Sequence, residues 1–165
     1  MGEQQKPLVR RVSEGDESVF LELVDALADY EKLKRPSAEA KQRLIRDGFG
    51  DRPLFTPYLV ELEGRTVGYA ITFFTYSSFL AQPTLYLEDV YVLPEARGRG
   101  VGRAVFQRLA SEAVAHDCGR MDWVVLDWNR VAIDFYDHLG AQPLREWVGY
   151  RLDREQLETL ASSSR

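Results

Sequence analysis

The sequence predicts an α/β fold, a mixed and mostly antiparallel sheet flanked by helices, and three features predict it. Apolar residues recur at helical spacing up to about residue 48 and at strand spacing from about residue 58, so the period changes. Two strand-like runs meet at an EGR turn at 63–65, the pattern of an antiparallel hairpin. A third run, LYLEDVYVL at 85–93, feeds a glycine-rich loop, an amphipathic helix and a further strand, which makes the helix a crossover between parallel strands.

Each element has its own local signal. LVRRV at 8–12 reads as the first strand, and SEGD at 13–16 supplies capping residues for a helix over DESVFLELVDALADYEKL. Phe20, Leu23, Val24, Leu27 and Tyr30 share one face of that helix. A second helix, SAEAKQRLIRDG, takes Ser37 as its cap and Gly48 as its stop. YLVELEGRTVGYAITFFTY forms the hairpin. After Gly100 come a helix (VGRAVFQRLASEAVA), a strand (RMDWVVLDW), a helix (NRVAIDFYDHLG) and a strand (AQPLREWVGYRL), with Asp153 capping a last helix, REQLETLA. No linker-like stretch and no internal repeat interrupts the 165 residues, so they are read as one domain, 1–165.

Composition narrows the function classes. The formal charge of −5 argues against a nucleic-acid partner and suits a cationic substrate. No window approaches the eighteen apolar residues of a membrane span, and the start MGEQQKP lacks the apolar core of a signal peptide, so a cytoplasmic protein without a membrane partner is expected. Cys118 is the single cysteine, which excludes an internal disulfide and any multi-cysteine metal site. His116 beside it reads as part of a helix end, and no metal is expected.

The chemistry concentrates in RGRGVG at 97–102. Gly98, Gly100 and Gly102 remove side chains that would keep an anion from backbone N–H groups. The helix that begins there adds its positive end, and Arg97, Arg99 and Arg103 add full charges, which together make a pyrophosphate cradle. The Walker pattern fails because Arg103 and Ala104 follow Gly102, and the GxGxxG fingerprint fails because no glycine stands three after Gly100.

LYLEDVYVLPEARGRGVG followed by an amphipathic helix resembles the acetyl-CoA signature of the GNAT superfamily of N-acetyltransferases, with Arg97, Gly100 and Gly102 filling its loop pattern. DYEKL at 29–33, DGFGDRP at 47–53, FFTYSSF at 73–79 and VLDWNRVAIDFYDHLGAQPL at 125–144 resemble, in order, the diamine acetyltransferases. DYEKL and VLDWN are more similar to the thialysine branch of that family than to its polyamine branch. The resemblance implies the GNAT fold with a splayed pair of parallel strands, acetyl-CoA as cosubstrate, a homodimer, and direct transfer to a small amine in a ternary complex. An inner set of roles is implied as well. Glu88 holds the amine and takes its proton, with Asp89 as neighbour. Backbone N–H groups of Val90 and Val92, around Tyr91, meet the acetyl carbonyl and the pantetheine arm. The loop from Arg97 through Gly98, Arg99, Gly100, Val101, Gly102 and Arg103 holds the pyrophosphate. Asn129 and Ala132 contact the cofactor, and Tyr136 protonates the departing thiolate.

Chemistry supports the carboxylate independently. An alkyl amine with a pKa near 10.4 is unprotonated only on the order of once in a thousand molecules at neutral pH, so the site must remove a proton. Two adjacent acids in an apolar strand are costly to bury without a task. On the helical face of Asn129, Ala132, Phe135, Tyr136 and Leu139, periodicity alone gives a buried tyrosine, and the FYDHLGA block supplies the catalytic reading. Tyr30 and Glu31 match amine-contacting positions, and Asp127 and Trp128 join the substrate side. Phe73, Phe74, Tyr76 and Trp128 are expected to line a channel. Lys32, Lys34 and Arg35 near its mouth disfavour a long polycation and welcome an amino-acid carboxylate, which points to a lysine-like substrate such as thialysine. The alternatives are a spermidine/spermine acetyltransferase and a non-catalytic acyl-CoA sensor.

Overall fold

The computed structural model describes residues 5–163. Strands β1 (Leu8–Arg11), β2 (Thr56–Leu62), β3 (Arg65–Ser77), β4 (Gln82–Val92) and β5 (Arg120–Trp123) form one sheet in that order. Every neighbouring pair is antiparallel except β4 and β5. Those two are parallel because a helix crosses between them, as the sequence predicts. Helices α1 (Glu17–Tyr30) and α2 (Ala38–Phe49) precede β2, α3 (Val101–Ala115) makes the crossover, and α4 (Arg130–His138) and α5 (Arg154–Ser162) follow β5. The chain divides into two compact units, one ending at Val124 and the other starting at Val125.

In the first unit the sheet lies between α1 and α3. Phe20, Leu23 and Val24 of α1 pack with Leu59, Tyr69, Ile71 and Tyr91, and Phe20 meets Tyr69 edge-to-face at 5.6 Å. The alternate residues of β2 face α3, where Arg108 stands over the ring of Tyr58. The buried carboxylate of Glu112 on α3 accepts hydrogen bonds from Arg11 of β1 and from Arg108, the latter at 2.8 Å. Burial pushes its pKa up, but the two guanidiniums outweigh burial and hold it below its ordinary value. Next to Arg11 on β1, Arg10 alternates to the opposite face and bonds both Asp16 and Glu61 at 2.6 Å.

Several local signals hold. Ser37 caps α2 by accepting from the Ala40 amide, and Asp153 forms a reciprocal capping box with Gln156. Glu63 and Gly64 both have positive φ, the requirement of a two-residue hairpin turn, and Arg65 already starts β3. His116 ends α3, with its Nδ1 2.9 Å from the Glu112 carbonyl. At the start of α1, Asp16 does not cap with its side chain; its carboxylate turns back to the Ser13 amide and to Arg10.

Three expectations are corrected. Gly48 does not stop α2, which runs to Phe49 with Gly50 after it. It is glycine because a Cβ there would lie 2.6 Å from the Phe55 ring. β5 ends at Trp123 and does not continue through residue 128, since its ladder with β4 stops at the Leu87–Trp123 pair. Residues 141–152 form no strand. Strand backbone needs a neighbour to take its N–H and C=O groups, and among the described residues none pairs with this segment, where Leu144, Trp147, Val148, Tyr150 and Leu152 are exposed.

Gly68 lies opposite Val92, and a Cβ on it would sit 2.5 Å from the Tyr91 carbonyl oxygen, a backbone atom that cannot swing away. Gly68→Ala is therefore expected to cost about 2 kcal/mol or more in a urea unfolding titration, with the slope unchanged.

Candidate active site

The site begins with an irregularity in β4. Ile71 pairs with Asp89 and Thr72 with Leu87, so Glu88 has no partner on β3 and forms a β-bulge. A bulge re-aims the side chains around it. Leu87 stays buried, Glu88 is exposed and Asp89 is half-buried. The ladder to β5 ends at Leu87, one residue before the bulge, so the stretch from Asp89 to Val92 pairs with β3 on one side and, among the described residues, with no strand on the other. Val90, Tyr91 and Val92 fall in this opened stretch, where backbone groups are left for a ligand.

Beside the bulge lies an acidic cluster. Tyr69, fully buried on β3, donates its hydroxyl to Asp89 Oδ2 at 3.1 Å. Burial pushes the Asp89 carboxyl up to about 6; the Tyr69 hydrogen bond lowers it, and the charges of Glu88 and Glu31 raise it. Tyr69 itself is driven well above the ordinary phenol range, first by burial and then by Asp89, so it stays a donor. Glu31 follows the last residue of α1, is half-buried, and is raised by burial alone. Three carboxylates from two elements thus act on one region, a field that attracts a cation.

The glycine loop follows a short 3-10 turn at Pro94–Ala96. Gly98 and Gly100 have φ of +72° and +80°, the left-handed region, and Gly100 directly precedes the first turn of α3. The amides of Val101, Gly102 and Arg103 are the unpaired N-terminal groups of that helix. The arginines divide. Arg97 donates from Nε to the Val92 carbonyl at 2.9 Å and stacks over the rings of Tyr30 (4.8 Å) and Tyr91 (5.7 Å). Its guanidinium anchors the loop to the end of α1, joining a residue expected on the substrate side to residues expected on the cofactor side. Arg99 pairs with Glu63 of the β2–β3 turn, and Arg103 is exposed.

In the second unit Asn129 caps α4, its side chain accepting from the Ala132 amide at 3.3 Å, and Tyr136 lies 5.7 Å from the Phe135 ring. Ala132, Phe135, Tyr136 and Leu139 are the half-buried face of α4, as periodicity predicts, and Asp127 and Trp128 lie in the exposed turn before it.

The aromatic run does not form one lining. Tyr69, Ile71 and Phe73 share the α1 face of β3, whereas Phe74 and Tyr76 alternate to the other face, where Phe74 meets His116 at 4.9 Å. Only Phe73, packed on Tyr86 at 5.1 Å, remains on the side of Tyr69. Arg35 of the expected cationic mouth is bound to Asp29 by a two-pronged ion pair and lies 3.9 Å from Asp25, so its charge is balanced. Tyr69 was not among the residues singled out from the sequence. Its signal is that a buried tyrosine needs an acceptor, and the neighbouring strand offers Asp89.

Residues 20–141 match the model of the Acetyltransferase (GNAT) family. The chain is 36% identical over 165 residues to thialysine N-epsilon-acetyltransferase of Sus scrofa, covering 93% of this chain and 96% of that protein. It is 34% identical to human spermidine/spermine N(1)-acetyltransferase-like protein 1, covering 93% of this chain and 23% of that longer protein. Among solved structures, an integron cassette protein of Vibrio cholerae superposes with a TM-score of 0.77 at 26% identity, over 96% of this chain and 99% of its own.

The raised Asp89 carboxyl has a consequence for stability. A carboxyl whose folded pKa lies above its unfolded value, near 3.9, contributes full stability below about pH 4 and loses it as pH rises through about 6. Above pH 6 the buried charge costs on the order of 2–3 kcal/mol. Asp89→Asn is expected to melt at a higher temperature than the unmodified protein at pH 8 and not at pH 4, as differential scanning calorimetry at the two pH values will read.

Proposed function

The chain belongs to the GNAT acetyltransferases and is an N-acetyltransferase; from that premise we propose that it moves the acetyl group of acetyl-CoA directly onto the primary amine of a small diamine or lysine-like molecule, with thialysine first among them. The observation that carries the proposal is the convergence of Glu88, Asp89 and Glu31 beside a strand opened for the donor, next to a glycine turn at a helix N-terminus. A cationic acceptor and an anionic donor are thereby drawn to adjoining places.

The steps follow from the chain's own groups. The acids hold the ammonium and remove one proton, directly or through water. The nitrogen lone pair attacks the thioester carbonyl carbon, whose oxygen is polarised by the Val90 N–H while the pantetheine arm lies along Val92. The carbon–sulfur bond breaks, Tyr136 gives its proton to the thiolate, and the second proton that the nitrogen sheds on becoming an amide restores the tyrosine hydroxyl. The amides of the loop from Gly98 through Arg103 neutralise the pyrophosphate, with Asn129 and Ala132 of α4 as further contacts. Cys118 belongs to none of these positions, so no acetyl-enzyme is formed on sulfur. Tyr30, Glu31, Asp127 and Trp128 contact the acceptor, and a homodimer is part of the same reading.

A polyamine is the second reading. It is favoured by the balanced charge of Arg35, which makes the mouth less hostile to a polycation than the sequence suggests. Release of free coenzyme A thiol is to be followed with thialysine, lysine, putrescine, spermidine and spermine. Turnover at least tenfold faster with thialysine than with spermine is expected, and the reverse order establishes the polyamine reading. Tyr136→Phe is expected to lower kcat by about a hundredfold with acetyl-CoA still bound, and unchanged turnover removes its assignment as the acid. Tight acetyl-CoA binding with no acceptor turned over leaves the sensor.

A further inference from the structure

Two acids stand side by side at the bulge, and the structure treats them differently. Glu88 is exposed and has no strand partner, whereas Asp89 is half-buried, set in register opposite Ile71, and bonded at 3.1 Å by the hydroxyl of a tyrosine that is itself fully buried. Tyr69 cannot drift. Phe20 closes on its ring at 5.6 Å, and Gly68 before it lets β4 approach closely enough that a Cβ would reach the Tyr91 carbonyl. The tyrosine is thus a fixed donor whose one polar atom is used to aim one carboxylate.

We propose that Asp89, held in place by the Tyr69 hydroxyl, is the carboxylate that takes the proton from the acceptor amine, while Glu88 holds the cation at the mouth. This division of labour rests on the acetyltransferase reading above. In the step, one N–H bond of the ammonium breaks, its electrons stay on nitrogen as the attacking lone pair, and an O–H bond forms on Asp89. The proton then leaves to solvent. Asp89 is the catalytic residue and Tyr69 the positioning residue.

The groups bearing on Asp89 agree with the assignment. Glu88 beside it on β4 and Glu31 at the end of α1 both disfavour its charge, and Tyr69 from β3 favours it. Arg97, from the turn after β4, is engaged with the Val92 carbonyl and the Tyr30 and Tyr91 rings. Lys32 and Lys34 lie beyond Glu31 in the segment after α1. A base that titrates near the working pH accepts a proton more readily than an ordinary carboxylate, and burial between two like charges creates that condition.

The test is the pH profile of kcat/KM for the best amine of the panel at saturating acetyl-CoA. The unmodified protein is expected to show an acid limb at about pH 6. Asp89→Asn abolishes the limb and lowers the rate by about a hundredfold or more. Tyr69→Phe, which removes one oxygen, moves the limb to higher pH because the hydrogen bond that favours the charged form is gone. Glu88→Gln raises KM and moves the limb to lower pH because a like charge is gone. A limb that survives Asp89→Asn, stays in place in Tyr69→Phe or vanishes in Glu88→Gln overturns the proposal. If circular dichroism shows that Tyr69→Phe does not fold, Asp89→Asn and Glu88→Gln decide between them. Turnover with an unmoved limb removes this inference alone; no turnover with any amine removes the acetyltransferase reading and this inference with it.

Discussion

The site depends on one mismatch between the two ladders of β4. On one side β4 keeps pairing with β3 through Val92 by admitting Glu88 as an extra residue; on the other its parallel pairing with β5 stops at Leu87. Continuous pairing on both sides would satisfy every backbone group and leave nothing for a ligand. The bulge also sets the spacing of the acids, since Glu88 and Asp89 do not follow the plain alternation that would send them cleanly to opposite faces. The bulge on one side and the ladder's end on the other thus leave β4 backbone groups open beside two adjacent acids.

Around that opening the structure uses rigid contacts. Arg97 ties the turn after β4 to Tyr30 at the end of α1 and to Tyr91 on the strand. Removing its stacked side chain loosens the loop and the helix end together. Arg99 fixes the same loop to the β2–β3 turn through Glu63. The positive charge near the loop is therefore largely anchored, and the donors left for a phosphate are the backbone amides at the start of α3. Tyr69 serves the acidic side in the same manner, a buried ring carrying one outward-acting hydroxyl.

Local signals were legible in the sequence and partner-dependent ones were not. Ser37 and Asp153 are read correctly because a cap bonds within three residues of itself. The crossover and the glycine turn are read because the period, the glycines and the helix start lie together in the chain. The ends of β5 and the segment 141–152 are misread because strand composition states only a capacity to pair, and pairing is decided elsewhere. Gly48 is misread because its reason is Phe55, which approaches from outside the helix. At the site, the EDV run flagged the acids, but Tyr69 is twenty positions from Asp89 and becomes its neighbour only through the β3–β4 register.

The central claim is that the opened stretch of β4 and the glycine turn together hold the acetyl donor. Titration of isotope-labelled protein with coenzyme A, followed by amide chemical shifts, tests it most directly. The account predicts that the largest shifts fall on Val90, Val92 and the amides from Gly98 through Arg103, with little change on β1 or α2. Saturable shifts confined to other residues, with Val90, Val92 and the loop unmoved, would contradict it.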